Sequence, residues 1–215
     1  MKTVGITDYG MGNIRSIEGA LSYLGFSSVR VSEASDLHRI DALILPGVGG
    51  FPRAMSRLRK NGLVDPIVDW AKEGRRLVGI CLGMQLLFQK SDEIAPTEGL
   101  GLLQGHVKLL DSNDSHSFVA RLPNMGWREL RSMVGSSGDN GFAEHVAMHH
   151  ERGLWMYFAH SYGIREDGGS TTLSVLDYDS VAYVAIVQED NVIGFQGHPE
   201  LSGVHGLELL KASLA

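Results

Sequence analysis

Leu77-Val78-Gly79-Ile80-Cys81-Leu82-Gly83-Met84-Gln85 is the stretch on which the reading of this chain turns. Apolar residues (Leu77, Val78, Ile80) lead into the cysteine, and Met84-Gln85-Leu86-Leu87-Phe88 beyond it is helix-competent. The pattern is a strand, a sharp turn with a glycine on either side, then a helix, which are the mechanics of a nucleophile elbow. Gly79 and Gly83 allow the tight turn and keep the neighbourhood of the sulfur open. A helix that starts just past the sulfur points free N–H groups and its positive end at it. Both favour the thiolate, the reactive form. A second reading stands beside this one, because a free cysteine ending a core strand is among the most buried residue types. The turn alone leaves both open.

The 215 residues suit one domain spanning 1–215, large enough to bury a core without staples. A formal charge of −6 speaks against a non-specific nucleic-acid binder, which would show a basic face. Lysines and arginines are scattered, apart from Arg57-Leu58-Arg59-Lys60 and Arg75-Arg76. The apolar runs are too short to span a bilayer, so no membrane partner is expected. Met1-Lys2-Thr3 runs straight into a strand without a signal-peptide pattern. A single cysteine excludes an internal disulfide framework and suits a reducing, cytoplasmic location.

Outward from the elbow, Thr3–Asp8 reads as a first buried strand, followed by a glycine-rich turn, Tyr9-Gly10-Met11-Gly12-Asn13. Ile14, Ile17, Leu21 and Leu24 then fall at helical spacing, with Gly25 as a stop. Ser28–Val31 and Ala42–Leu45 are further strands, and Phe51–Lys60 and Leu63–Ala71 are helices. Strand alternating with helix predicts an α/β fold with a mostly parallel central sheet flanked by helices. The second half changes character. Short strands at His106–Leu110, Leu154–His160, Leu173–Tyr178, Ala182–Gln188 and Val192–Phe195 read as antiparallel additions. Ser132–Arg152, polar and rich in glycine, is expected to be a mobile surface insertion. The last helix, Gly203–Leu214, carries Val204, Leu207, Leu210 and Leu214 on one face.

Four motifs invite chemistry. Gly10-x-Gly12 follows a strand and opens a helix, but Arg15 stands where a dinucleotide-binding turn needs its third glycine, so a Rossmann cofactor is not expected. In Gln196-Gly197-His198-Pro199-Glu200, the proline biases His198 towards extended backbone, so His198 and Glu200 project to the same side. The carboxylate can then hold one imidazole nitrogen and leave the other as a base. A surface turn carrying an ordinary His and Glu is the plainer alternative. Pro46-Gly47-Val48-Gly49-Gly50 follows a parallel strand and should share the carboxyl edge of the sheet with Cys81. A backbone N–H from this loop, with that of Leu82, would make a two-donor oxyanion hole. His145, His149 and His150 lack a cysteine or a well-spaced acidic partner, so solvated histidines are expected there rather than a metal site.

Together the elbow, G-I-C-L-G-M-Q, and the late His198-Pro199-Glu200 resemble the class I glutamine amidotransferase family in its usual order, and the implied fold is flavodoxin-like and three-layered. Within the family, Asp8–Asn13, Leu45–Gly49, Met125-Gly126-Trp127 and His160-Ser161-Tyr162 are similar to the glutaminase subunits of imidazole glycerol phosphate synthase, from histidine biosynthesis. The resemblance implies Cys81 as nucleophile, His198 as general base and acid, and Glu200 as its orienter. It implies L-glutamine as substrate, received by Gln85, by backbone at Gly47, Val48 and Gly49, by Leu82, and by His160, Ser161 and Tyr162. It implies no cofactor and no metal, and a heterodimer with a (β/α)8-barrel subunit that takes the ammonia. Asn124, Arg128, Gly197 and Leu201 depart from the family pattern, at positions expected around the partner-facing surface. A sister group that amidates sugars for surface polysaccharides is the nearest alternative, and a catalytically silent regulatory domain the next.

Overall fold

The computed structural model describes residues 2–110, 122–133, 141–167 and 171–215. The first half runs β1 (Thr3–Thr7), α1 (Ile14–Tyr23), β2 (Ser27–Val31), β3 (Ala42–Leu45), α2 (Phe51–Lys60), α3 (Val64–Lys72), β4 (Arg76–Ile80) and α4 (Leu82–Leu87). All four residues of β3 are buried, as are the last four of β1 and β4. Such continuously apolar strands suit a parallel sheet covered on both faces. Helix α1 ends where the sequence says it should. Gly25 takes φ +81°, its N–H reaches Ser22 O, and the Phe26 N–H reaches Leu21 O at 2.9 Å. Those two bonds satisfy the last carbonyls of the helix.

The second half supplies β5 (Phe88–Ser91), β6 (Thr97–Glu98), β7 (Leu103–Leu109), β8 (Asn124–Glu129), β9 (Arg131–Ser132), α5 (Gly141–His150), β10 (Trp155–His160), β11 (Tyr162–Ile164), β12 (Thr172–Tyr178), β13 (Val181–Glu189), β14 (Val192–Phe195) and α6 (Gly203–Ser213). Among the described residues the main sheet has the order β2-β1-β3-β4-β14-β13-β12-β9. Its strands from β2 to β14 are parallel, and β13, β12 and β9 continue it antiparallel. A smaller sheet, β11-β7-β5-β6, and a ribbon of β10 with β8 lie beside it. Alternate residues of β3 feed two cores. Ala42 and Ile44 pack with α1, α5 and α6, whereas Leu43 and Leu45 pack with α2, α3 and α4. The result is the expected three-layer α/β arrangement. Among the described residues no helix is long and apolar enough to cross a membrane.

Several expectations are corrected. Val192–Phe195 is not an antiparallel addition: β14 is parallel to β4 and sits at the centre of the sheet. Its residues are all buried, as a strand with neighbours on both edges and layers on both faces requires. The 132–152 stretch is not a surface loop throughout. Gly141–His150 forms α5, which buries Phe142, Ala143, Val146 and His149, while 134–140 lies outside the described residues. The inward face of α6 is Gly206, Leu209, Leu210 and Ser213, and Val204 is exposed.

Candidate active site

Cys81 sits between β4 and α4 at φ +56°, a conformation that costs a non-glycine residue energy and persists only when its surroundings enforce it. The enforcement is visible. A Cβ at Gly83 would lie 1.8 Å from Leu45 O, so only glycine lets the start of α4 pack onto the end of β3. A Cβ at Gly79 would meet the Met84 backbone at 2.7 Å. The two glycines flanking the cysteine therefore serve close packing as much as turning. Tyr9 braces the same corner, donating its hydroxyl to Pro46 O at 2.8 Å. Burial, and then negative charge at Cys81, raise the pKa of this tyrosine, so it stays a neutral donor.

The second component comes from the neighbouring strand. β4 and β14 run in parallel with Ile80 opposite Phe195, so Cys81 and the Gln196-Gly197-His198 segment leave the sheet at the same edge. His198 Nδ1 lies 2.9 Å from Glu200 Oε1, and both residues are buried. They meet through a 3-10 turn at Pro199–Leu201 rather than across an extended segment. Cys81 lines the same cavity as this imidazole, close enough to influence its charge. Burial by itself would lower the His198 pKa, but the hydrogen bonds and charges of Cys81 and Glu200 outweigh it and raise it to about 10. At neutral pH this favours an imidazolium beside the sulfur.

A cavity of about 420 Å³ opens onto this group. Cys81, Leu82 and His198 line one side, Val48 and Gly49 another. Gln85 and the 160–162 segment close it. Leu82, Gly83 and Met84 begin a helix, so their N–H groups have no acceptor within it. Gln85 donates from Nε2 to Tyr162 O at 2.8 Å and to Gln196 Oε1 at 3.0 Å. His160 is buried, with Nδ1 2.8 Å from Tyr162 O, and burial is the main reason its pKa falls to about 4. It is therefore a neutral ring. Glu200 and Gly47 do not line the cavity. Glu200 stands behind His198, and Gly47 packs so closely on Gly83 and Leu82 that a Cβ would come within 2.8 Å of each.

Glu93 was not legible as a site residue, yet it lines the cavity, with Oε2 accepting from the Phe51 N–H at 2.7 Å. Nothing in Ser91-Asp92-Glu93 marks it, because its place depends on how β5 and β6 fold back. Asn124 and Gly197 are buried rather than partner-facing; Arg128 is half-buried, and Leu201 is exposed. Asn124 is interior because it stands opposite His160 in the β8–β10 ribbon. The solvated-histidine expectation fails for His149, which is buried against the His205 ring with Glu208 3.6 Å away. Among the described residues no group of three or more His, Cys, Asp or Glu side chains could hold a metal ion. A larger cavity of about 750 Å³ lies between α5, α6 and the opposite edge of the sheet, where Arg76 begins β4. Neither Cys81 nor His198 lines it.

Cys81, His198 and Glu200 thus gather at one edge of a doubly wound sheet, and the fold can be set beside those of known proteins. The family described as glutamine amidotransferase class-I matches residues 5–215. The chain belongs to that family. It is 43% identical to the imidazole glycerol phosphate synthase subunit HisH of Geobacillus thermodenitrificans, over 98% of this chain and 94% of that protein. It is 39% identical to the hisH subunit of Cyanidium caldarium, over 100% and 99%. Among solved structures, one described as a glutamine amidotransferase superposes with a TM-score of 0.70 at 21% identity, over 98% of both chains. PurLQS from Thermotoga maritima gives 0.70 at 24% identity, over 100% of this chain and 98% of that one. At those identities the structures speak for the fold alone.

Proposed function

We propose that this chain is the glutaminase subunit of an imidazole glycerol phosphate synthase, acting as a single domain in the cytoplasm. In this reading it hydrolyses L-glutamine and passes the ammonia to a separate (β/α)8-barrel subunit. That subunit would form imidazole glycerol phosphate and an aminoimidazole carboxamide ribonucleotide. The observation that carries the reading is the meeting of Cys81, His198 and Glu200 at one sheet edge beside a cavity of amino-acid size.

The Cys81 thiolate attacks the side-chain amide carbon of glutamine. The oxyanion forms against the Leu82 N–H and one from the Val48 region. His198, held by Glu200, gives its proton to the departing ammonia and then takes one from the water that cleaves the γ-glutamyl thioester. Gln85, the backbone at Val48 and Gly49 and the 160–162 segment receive the substrate, and Glu93 offers a counter-charge for its α-ammonium. A face for the barrel adjoins the cavity. Met125, Trp127 and Trp155 are exposed on the β8–β10 ribbon, whose Ala159 lines the cavity opposite Met125. Contiguous exposed aromatics of this kind support a docking surface.

The test is complementation of a histidine auxotroph lacking its glutaminase subunit, with the chain's own barrel partner co-expressed. Growth without histidine, lost in Cys81→Ala, is expected. Failure to grow, with a polysaccharide defect on deletion in the native host, would move the acceptor to a sugar.

A further inference from the structure

Arg128 begins a directed chain of hydrogen bonds that ends at the glutamine cavity. Its Nε lies 3.0 Å from Asn124 Oδ1. A guanidinium can only donate, so the Asn124 carbonyl must face it and the Asn124 amide nitrogen must face away. That nitrogen lies 3.0 Å from His160 Nε2. Two donors cannot share the contact, so Nε2 carries the lone pair and the ring proton sits on Nδ1. Nδ1 faces Tyr162 O at 2.8 Å, and the same carbonyl takes the Gln85 Nε2–H at 2.8 Å. The arginine sets the Asn124 amide, and that amide at Nε2 and the Tyr162 carbonyl at Nδ1, which can only accept, agree in placing the ring proton on Nδ1.

We propose that Arg128 and Asn124 are positioning residues that fix the proton on His160 and, through it, the Tyr162 carbonyl and the Gln85 side chain on which glutamine rests. Asn124 and His160 are direct cross-strand partners, and Asn124 is fully buried, so the contact is built into the β8–β10 register. Arg128 and Asn124 are also two of the four departures from the family pattern. The chain of bonds makes them one coupled feature instead of two separate surface changes. The consequence for glutamine rests on the glutaminase reading. The placement of the proton does not.

The experiment is long-range ¹⁵N–¹H NMR of the histidine rings in the full chain at pH 7, with glutamine KM and kcat measured in the presence of the barrel chain. Wild-type His160 is expected as the neutral Nδ1–H tautomer; an Nε2–H tautomer or an imidazolium would overturn the proposal without any variant. Arg128→Met removes the donor at a half-buried site and should fold. It is expected to mix the two tautomers and raise KM by ~3–10-fold with kcat changed less than about twofold, the scale of one weakened hydrogen bond. Arg128→Lys should restore part of both. Asn124→Asp presents only acceptors, so His160 is expected to gain a proton on Nε2 and become charged. A His160 signal and a KM that ignore Arg128→Met would refute the relay. Absence of glutamine turnover in the wild type, with the tautomer responding as expected, would instead refute the glutaminase reading.

Discussion

The Cys81 N–H donates to the Phe195 carbonyl at 2.7 Å, joining the end of β4 to the end of β14. One bond thus fixes the elbow to the strand that delivers His198 three residues later. The relative position of sulfur and imidazole is set by sheet backbone rather than by a loop. Sites carried on paired strands hold their geometry to fractions of an ångström, which proton transfer requires.

The elbow should be intolerant of a single methyl group. At Gly83 a Cβ would meet Leu45 O at 1.8 Å, against backbone that cannot move without parting α4 from β3. Gly83→Ala is expected to cost ~1–3 kcal/mol or more and to displace Leu82 and Cys81. Thermal unfolding and glutaminase rates check it together. An alanine variant with wild-type Tm and turnover would mean that the turn relaxes freely.

His198→Ala and Glu200→Ala should differ in severity. Losing the proton-transfer group is expected to reduce kcat by ~10³-fold or more, and losing only its orienter by ~10–100-fold. Glu200→Gln also carries a stability signature. The His198 pKa is raised from 6.5 to about 10, so the charged ring contributes stability fully below pH 6.5, and this is lost as pH rises through about 10. The stability gap between wild type and Glu200→Gln is therefore expected to be widest near pH 6 and to close towards pH 10. Urea titrations at several pH values would measure it. A gap that widens with pH would contradict the ion pair.

The elbow and the His198-Pro199-Glu200 turn were legible because each is a local pattern, decided by residues within a few positions of one another. The parallel first half was legible for the same reason, since buried strands and amphipathic helices alternate over short spans. What could not be read depends on strand order. β14 looks like any short apolar strand, and only the sheet shows that it lies between β4 and β13. The same holds for Asn124, whose partner His160 is 36 residues away and set by ribbon register. Helix α5 was hidden because its few apolar residues follow a run of glycine, serine, aspartate and asparagine, and its face is weakly amphipathic.

A glutamine-like diazo-ketone should label Cys81 alone, the one thiol in the chain. Cys81→Ala is expected to abolish glutamine-dependent synthesis while leaving synthesis from free ammonia, because the proposed assembly puts the acceptor site on the other subunit. Mass spectrometry locates the label, and the two nitrogen sources separate the roles. Loss of both activities would mean that the variant disrupts the assembly.

The docking face makes the last prediction. Trp127 is 49% exposed, stacks edge-on against Tyr157 at 6.2 Å between ring centroids, and lies on the same side of the ribbon as Met125, which is 58% exposed. Leaving such side chains in water gains nothing for an isolated chain, and aromatic residues of this kind are the usual anchors of an interface. Trp127→Ala is expected to weaken binding of the barrel chain by ~2 kcal/mol or more, about a 30-fold rise in Kd, with little change in Tm because the indole is half exposed. Isolated chain should hydrolyse glutamine poorly, since an oxyanion donor near Val48 need be aligned only when an acceptor is present. Glycine on both sides of that loop's apex permits such a reorientation. Ammonia release should thus rise when the barrel chain and its nucleotide are added, and Trp127→Ala should require a higher barrel concentration for the same rise. Full glutaminase activity in the isolated chain would remove the case for coupling, and an unchanged Kd would place the interface elsewhere.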